Sequence, residues 1–354
     1  MPRFAAVRFL QPRRFNITEA SNEDFNLMHF ATTSSNTMQT GMVIRKFRGQ
    51  YIVRIGENDL PCSISSRLRK LLIYPLADPS SLHHRVQKVE EIDVVDPVAV
   101  GDNVSLVDAG DGTGVIHEVL ERRTQLSRRA ATNEPLEQVM VANADQAVVV
   151  FAAAKPEPKW NLLDRFLVTA ESSDLPALIV ITKMDLLDGD DLEEVEVYRE
   201  IGYPVILTSS VDGRGIDEAR AALCGKISIL MGKSGVGKSS LLNAVQPGLG
   251  LKVSEVGKGE LGKGKHTTTH LEMFPLNGGG GVIDTPGMRS FALWDVRQDE
   301  MAYFFCEMRP YLGKCQFQSN CIHENEPGCA VQQAVNTGQI DQRRYASYLK
   351  LLRE

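Results

Sequence analysis

Apolar and polar positions alternate over residues 41–47 and 50–55 on either side of Gly49, which predicts a hairpin. A basic stretch (Arg67, Arg69, Lys70) and a loop at 78–81 follow, then strand-like runs at 98–107 and 114–120. Short strands punctuated by glycine, with a basic connection between them, are consistent with a five-stranded barrel such as an OB-fold. Periodicity alone does not separate that barrel from other small ones. The middle of the chain has a different pattern. Residues 176–181 form a near-continuous apolar run of the kind buried on both faces of a sheet. Residues 205–208 and 226–231 are strand-like, 240–245 helix-like, and 271–275 with 281–283 form a hairpin-like pair. Residues 301–308, 330–335 and 341–353 read as helical, the last two separated by Thr337-Gly338.

The chemistry sits between these elements. Gly232-Lys233-Ser234-Gly235-Val236-Gly237-Lys238-Ser239 is a complete G-x-x-x-x-G-K-S phosphate loop, placed between a strand and a helix that opens at Ser240. Its glycines let backbone N–H groups approach phosphate oxygens, Lys238 reaches the β/γ-phosphates, and the Ser239 hydroxyl is a Mg²⁺ ligand. Upstream, Thr182-Lys183-Met184-Asp185 resembles the N/T-K-x-D guanine-recognition motif of GTPases. A carboxylate there accepts from both N1–H and the N2 amine of guanine, and adenine presents the opposite pattern. Ser209-Ser210 follows the next strand-like run, as does the short loop that meets the guanine carbonyl in GTPases. Downstream come His266-Thr267-Thr268-Thr269, one of whose threonines is a switch I candidate for Mg²⁺, and Asp284-Thr285-Pro286-Gly287. The latter resembles the segment that holds Mg²⁺ through water and touches the γ-phosphate with a glycine N–H. The order is base, base, phosphate, switch I, switch II. Ordinary GTPases place the phosphate loop first, so the domain is expected to be circularly permuted, and the chain after Gly287 to run directly into the C-terminal region.

That region holds Cys315, Cys321, His323 and Cys329, whose donors suffice for a closed tetrahedral structural zinc site. Four unconnected buried groups would be the alternative. Cys306, Cys62 and Cys224 are expected to be core thiols. The net charge of −6 and pI near 5.7 exclude a generally basic nucleic-acid binder, so any RNA contact is local, with Arg122, Arg123, Arg128 and Arg129 as a candidate basic linker. Apolar content of 43% supports two to three domains with cores of their own, and no run approaches a transmembrane span. Residues 1–16 are basic but lack the apolar core of a secretory signal, and read as a tail. Zinc thiolates and a GTP site together point to a reducing cytoplasm.

Taken in combination, these motifs resemble the ribosome small-subunit-dependent GTPase A (RsgA, or YjeQ) family over roughly residues 38–352. A helix segment at 161–167 is part of the likeness, whereas residues up to Thr37 have no counterpart and the first zinc loop, 316–320, is one residue longer than usual. The resemblance implies a multidomain α/β-plus-β chain. Its parts are an extension (1–37), an OB-fold RNA-binding domain (38–125), a permuted GTPase domain (126–292) and a helical zinc domain (293–354). It also implies late maturation of the small (30S) ribosomal subunit, contact with its rRNA, a GTP/GDP cycle with Mg²⁺, and one structural Zn²⁺. Nothing indicates obligate assembly, so a monomer is expected, away from membranes. Met288 follows Gly287 and cannot polarise water, so His266 is the candidate for positioning it, as the family also implies. The basic side of the last helix (Arg343, Arg344, Lys350, Arg353) is a candidate ribosomal contact, its Tyr345, Tyr348, Leu349 and Leu352 packing on the zinc module. Two other readings stay open: an RNA-binding scaffold gated by nucleotide, with hydrolysis incidental, and a metabolic P-loop kinase or ATPase, against which Asp185 argues.

Overall fold

The structure, a computed structural model, describes residues 37–47, 49–69, 96–129, 137–187, 192–251, 271–285 and 296–354. Five strands, β1 (Met38–Phe47), β2 (Gln50–Ile55), β3 (Asn58–Ile64), β4 (Asn103–Asp108) and β5 (Gly114–Val119), pair in the order β1-β2-β3-β5-β4. The pairing of β1 with β4 closes the ring. This is an OB-like barrel with α1 (Ser66–Arg69) after β3, and closure leaves no open edge between these strands. Inward residues such as Val43, Tyr51, Val53, Leu106 and Ile116 form its core. The pattern did not disclose β3, because a proline inside the run, Pro61, argues against a strand even though Leu60, Cys62 and Ile64 alternate. The strand expected at 98–107 starts only at Asn103. Before it the chain turns at Gly101 (φ +92°), and the Asp102 carboxylate accepts from the Ala99 N–H at 2.7 Å.

The stretch expected as a basic linker is a two-stranded ribbon, β6 (Gln125–Arg129) with β7 (Glu137–Ala142). Arg122 is not free for RNA: its guanidinium grips the fully buried Asp102 carboxylate with two bonds of 2.7 and 2.8 Å. Arg128 donates to Gln138 Oε1, and Arg123, two-thirds exposed, pairs with Asp145 at 3.1 Å.

The central sheet runs β10 (Val205–Leu207), β9 (Ala177–Thr182), β8 (Gln146–Ala152), β11 (Lys226–Met231), β13 (Gly280–Asp284), β12 (Glu272–Pro275). All neighbours are parallel except β12, which is antiparallel to β13. The strands are buried on both faces. Val149, Phe151, Ile179, Ile181, Ile229 and Ile283 join one core with α2 (Trp160–Glu171) and α3 (Glu193–Ile201). The alternating set Val148, Val150, Val180, Leu230 and Val282 joins another with α4 (Ile216–Leu223) and α5 (Lys238–Val245).

Beyond it lie two 3-10 turns, Met301–Phe304 and Cys306–Tyr311, then α6 (Ala330–Asn336) and α7 (Gln342–Leu352). The expected helix at 301–308 is broken at Phe305, which is fully buried in an extended conformation between the two turns. Arg344 corrects the expectation of a basic ribosome-facing side on the last helix. Fully buried, it bonds Asp164 of α2 at 2.6 Å and Glu307 at 2.7 and 3.1 Å. Arg343 lies over the Trp160 ring and donates to Glu194 O, and Arg353 pairs with Glu324. Cys62 is buried as expected, Cys306 is half-buried beside the Tyr203 hydroxyl, and Cys224 is exposed, contrary to expectation.

Candidate nucleotide site and metal centre

The segments after β11, β9, β10 and β13 emerge at the carboxyl ends of parallel strands, where open α/β sheets leave a crevice for ligands. The phosphate loop leaves β11 at Gly232, whose φ is +154° and whose added Cβ would fall 2.4 Å from Val150 O. Gly235 and Gly237 also have positive φ, +81° and +97°. Gly237 caps α5 without a side-chain bond, so the first-turn N–H groups, next to the partly exposed Ser239 and Ser240, are left for a ligand. Lys233 and Ser234 are exposed, whereas Val236 is packed in the core below. Lys238 folds back over the loop, donating to Gly232 O at 2.8 Å and Lys233 O at 3.0 Å. Burial lowers its pKa from the usual lysine value, and the Asp284 carboxylate opposes that shift.

On the base side, Thr182 donates to Phe151 O at 3.1 Å and to Val236 O, tying β9 to the phosphate loop. Lys183, at φ +61°, donates to Gly235 O at 2.7 Å and to Lys155 O. Asp185 is exposed and accepts from Ser209 Oγ at 2.8 Å. The same Ser209 oxygen accepts from the Val211 and Asp212 N–H groups, so the loop after β10 fixes both the serine and the carboxylate it holds. Ser210 is exposed beside it, while the Met184 side chain lies in the core.

Asp284 ends β13. Burial raises its pKa, opposed by Lys238 and the Thr285 N–H, and among the described residues its buried Oδ1 has no hydrogen-bond partner. An acceptor left open in this way fits a group that brings its own protons, such as metal-bound water. Thr285 donates to Leu230 O at 2.7 Å and is structural. His266, Thr267, Thr268, Thr269 and Gly287 lie outside the described residues.

The donor atoms of Cys315, Cys321, His323 and Cys329 all lie within 4.8 Å of one another and are buried. Cys315 Sγ is 3.5 Å and Cys329 Sγ 3.4 Å from His323 Nδ1, and the two sulfurs are 3.9 Å apart. Tetrahedral zinc bonds of about 2.3 Å to sulfur and about 2.0 Å to nitrogen put ligand atoms roughly 3.5–3.8 Å apart, so the four side chains fit that ion. Burial pushes the Cys321 thiol up to about 12 and lowers His323 below the usual histidine value. Thiolates in such a place need a cation beside them. Tyr345 and Tyr348 brace the loop, donating to His323 O at 2.6 Å and Ile322 O at 2.5 Å, and His323 itself sits at φ +58°.

The profile described as RsgA GTPase matches residues 119–294. A protein of Geobacillus thermodenitrificans named small ribosomal subunit biogenesis GTPase RsgA is 42% identical over 321 residues, 90% of this chain and 97% of that one. The chain belongs to the RsgA GTPase family. A Bacteroides fragilis protein of the same name is 38% identical over 271 residues, 75% of this chain and 87% of its own length. YjeQ from Thermotoga maritima superposes with a TM-score of 0.67 at 33% identity, covering 89% of this chain and 98% of that one. YloQ, described as a circularly permuted GTPase, gives 0.63 at 33%, covering 91% and 96%.

In this RsgA-family chain one contributor to the site was not expected from the sequence, and Ser209, which was, has a partner that was not. Lys155, at φ +46° in the loop after β8, offers its carbonyl to Lys183. The signal available was the apolar run 146–152 followed by K-P-E-P, a strand ending in a proline turn. Ser209 holds Asp185 with its side chain, which sequence separation concealed, since the two are 24 residues apart.

Proposed function

We propose that the chain hydrolyses GTP as a switch in biogenesis of the small ribosomal subunit, as the names of its relatives say of them. One observation carries the reading. A complete phosphate loop, a guanine-type aspartate held by a serine, and a buried aspartate with an acceptor unpaired among the described residues lie at the carboxyl ends of neighbouring parallel strands.

Gly232 to Ser240 cradle the phosphates with backbone N–H groups. Lys238 exchanges its two loop carbonyls for β/γ-phosphate oxygens, which repay its burial with charge. Asp185 reads N1–H and N2 of guanine, the loop Thr208–Ser210 meets the carbonyl edge, and Lys183 lies along the base from its position on Gly235. Water attacks the γ-phosphorus in line, the bond to the bridging oxygen breaks, and GDP and phosphate leave. Ser239, Thr268 and, through water, Asp284 would hold Mg²⁺, which neutralises phosphate charge when bound. His266 positions the water, Gly287 donates to the γ-phosphate, and Thr267 shares the switch I segment. Zn²⁺ in the Cys315–Cys321–His323–Cys329 cluster is structural: four protein donors leave no open position.

In this reading residues 38–125 and 293–354 contact rRNA on either side of a GTPase domain at 126–292, after an extension at 1–37. The protein acts as a monomer in the cytoplasm. Among the described residues no helix is long and apolar enough to cross a membrane. Steady-state GTP hydrolysis by the protein alone, with small subunits and with large subunits is the test. Turnover should rise strongly with small subunits only. A rate unchanged by either subunit despite tight GTP binding would refute the ribosomal switch.

A further inference from the structure

The barrel and the GTPase sheet are one continuous hydrogen-bonded sheet, joined where β1 meets β12. Residues 38–42 of β1 pair with β4 and close the barrel; past a bulge between Val43 and Arg45, β1 stays paired with β2 on one edge while its other edge turns from β4 to β12. A bulge at a barrel rim re-aims the strand that carries it. The Lys46 N–H donates to Leu271 O at 3.4 Å, Arg45 pairs in register with Glu272, and Ile44 shares a core with Met273.

The register across the next pair gives the junction its meaning. Glu272 lies directly opposite Asp284, the aspartate of the nucleotide site. Arg45, Glu272 and Asp284 therefore form one row across three strands, about 10 Å from first to last at the usual strand spacing. Directly opposed residues project on the same side. The Arg45 guanidinium is ion-paired to Glu272, which ties the first two members of the row together from the barrel side. Among the described residues its Nε has no hydrogen-bond partner, while the guanidinium lies over the Phe47 ring. β12 is also the strand between the expected switch I segment and β13, and β1 holds it at Leu271 and Glu272.

We infer that the Arg45–Glu272 pair couples what the barrel binds to the nucleotide site, with Arg45 a positioning residue for Asp284. The inference rests on the function proposed above and names the route by which a small subunit held by the barrel alters turnover. In the row, a shift of β1 changes the hold of Arg45 on Glu272, and so the placement of β12 and of β13, which carries Asp284. A coupling at the low end of those measured between protein sites corresponds to about fivefold.

The test uses full-length Arg45→Glu, Glu272→Arg and the double variant, with Arg45→Met and Glu272→Gln as milder companions should a reversal fail to fold. Three quantities are read for each: turnover alone, turnover with saturating small subunits, and co-sedimentation with the subunit. The ratio of stimulated to unstimulated turnover should fall about fivefold or more in each single variant and recover in the double, with co-sedimentation retained. A wild-type ratio in the singles overturns the inference. So does a fall explained by lost co-sedimentation, which would make Arg45 an RNA contact and not a relay. A wild-type protein that small subunits do not stimulate would instead refute the proposed function itself.

Discussion

Arg344 joins the C-terminal module to α2, and replacing it by methionine isolates the electrostatics of that joint. The guanidinium is fully buried, bonded to Asp164 Oδ1 at 2.6 Å and in a fork to both oxygens of Glu307. Burial opposes its charge, and the Asp164 and Glu307 carboxylates more than offset this, raising its pKa above the usual arginine range. Methionine keeps most of the apolar stem, so the cavity is small and the charge term dominates. Two carboxylates lose their cation. Asp164 is fully buried and keeps only the Tyr198 hydroxyl at 2.7 Å, and Glu307 is nearly buried. Breaking a buried pair from one side costs about 3–5 kcal/mol, and Arg344→Met should fall in that range. Urea unfolding followed through the C-terminal module measures it. Adding Asp164→Asn and Glu307→Gln should return more than half of the loss, because neither side then strands a charge. A cost under about 1 kcal/mol, or one that Asp164→Asn with Glu307→Gln does not reduce, would refute this account of the joint.

Further outcomes follow from single positions. Gly232→Ala should weaken GTP binding by roughly tenfold or more in a titration, since a Cβ 2.4 Å from Val150 O at φ +154° forces the phosphate loop to shift, at about 1–3 kcal/mol. Asp185→Asn should reduce affinity for GTP by roughly tenfold to hundredfold with little effect on any binding of ATP, because a charge-assisted acceptor worth about 1.5–3 kcal/mol is replaced in part by a donor. Unchanged guanine preference would favour a general P-loop NTPase. In native protein an alkylating reagent should modify the exposed Cys224 first and leave Cys62 untouched, as burial holds that thiol up at about 11. After metal chelation Cys315, Cys321 and Cys329 should become reactive together and the C-terminal module lose its cooperative melting; three thiols equally reactive before chelation would count against a metal there.

Elements and chemistry were unequally legible in the sequence. The phosphate loop, the T-K-x-D segment, the D-x-P-G segment and the cysteine–histidine cluster could be read directly, because each is a short run whose chemistry needs fixed residues at fixed spacing. The strand Ala177–Thr182 was visible for a related reason: a strand buried on both faces reads as a near-continuous apolar run. The strand β3 was hidden by Pro61, and the β6–β7 ribbon by its arginines, which look like a solvated linker until their partners are known. Arg122 and Arg344 show the same limit more sharply. A sequence gives the charge of an arginine but not whether Asp102, or Asp164 from 180 residues away, has already claimed it.

What the sequence determined by itself was the set of chemical groups, their order, and with that order the permutation, since motif order is a property of the chain alone. Only the tertiary structure decided which groups meet. Ser209 reaches Asp185, Lys183 reaches the phosphate loop, and Arg45 stands in one row with Asp284 because sheet register brings together side chains far apart in the chain. Register and packing are set by burying both faces of the sheet at once, a condition on the whole domain that no short window of residues contains.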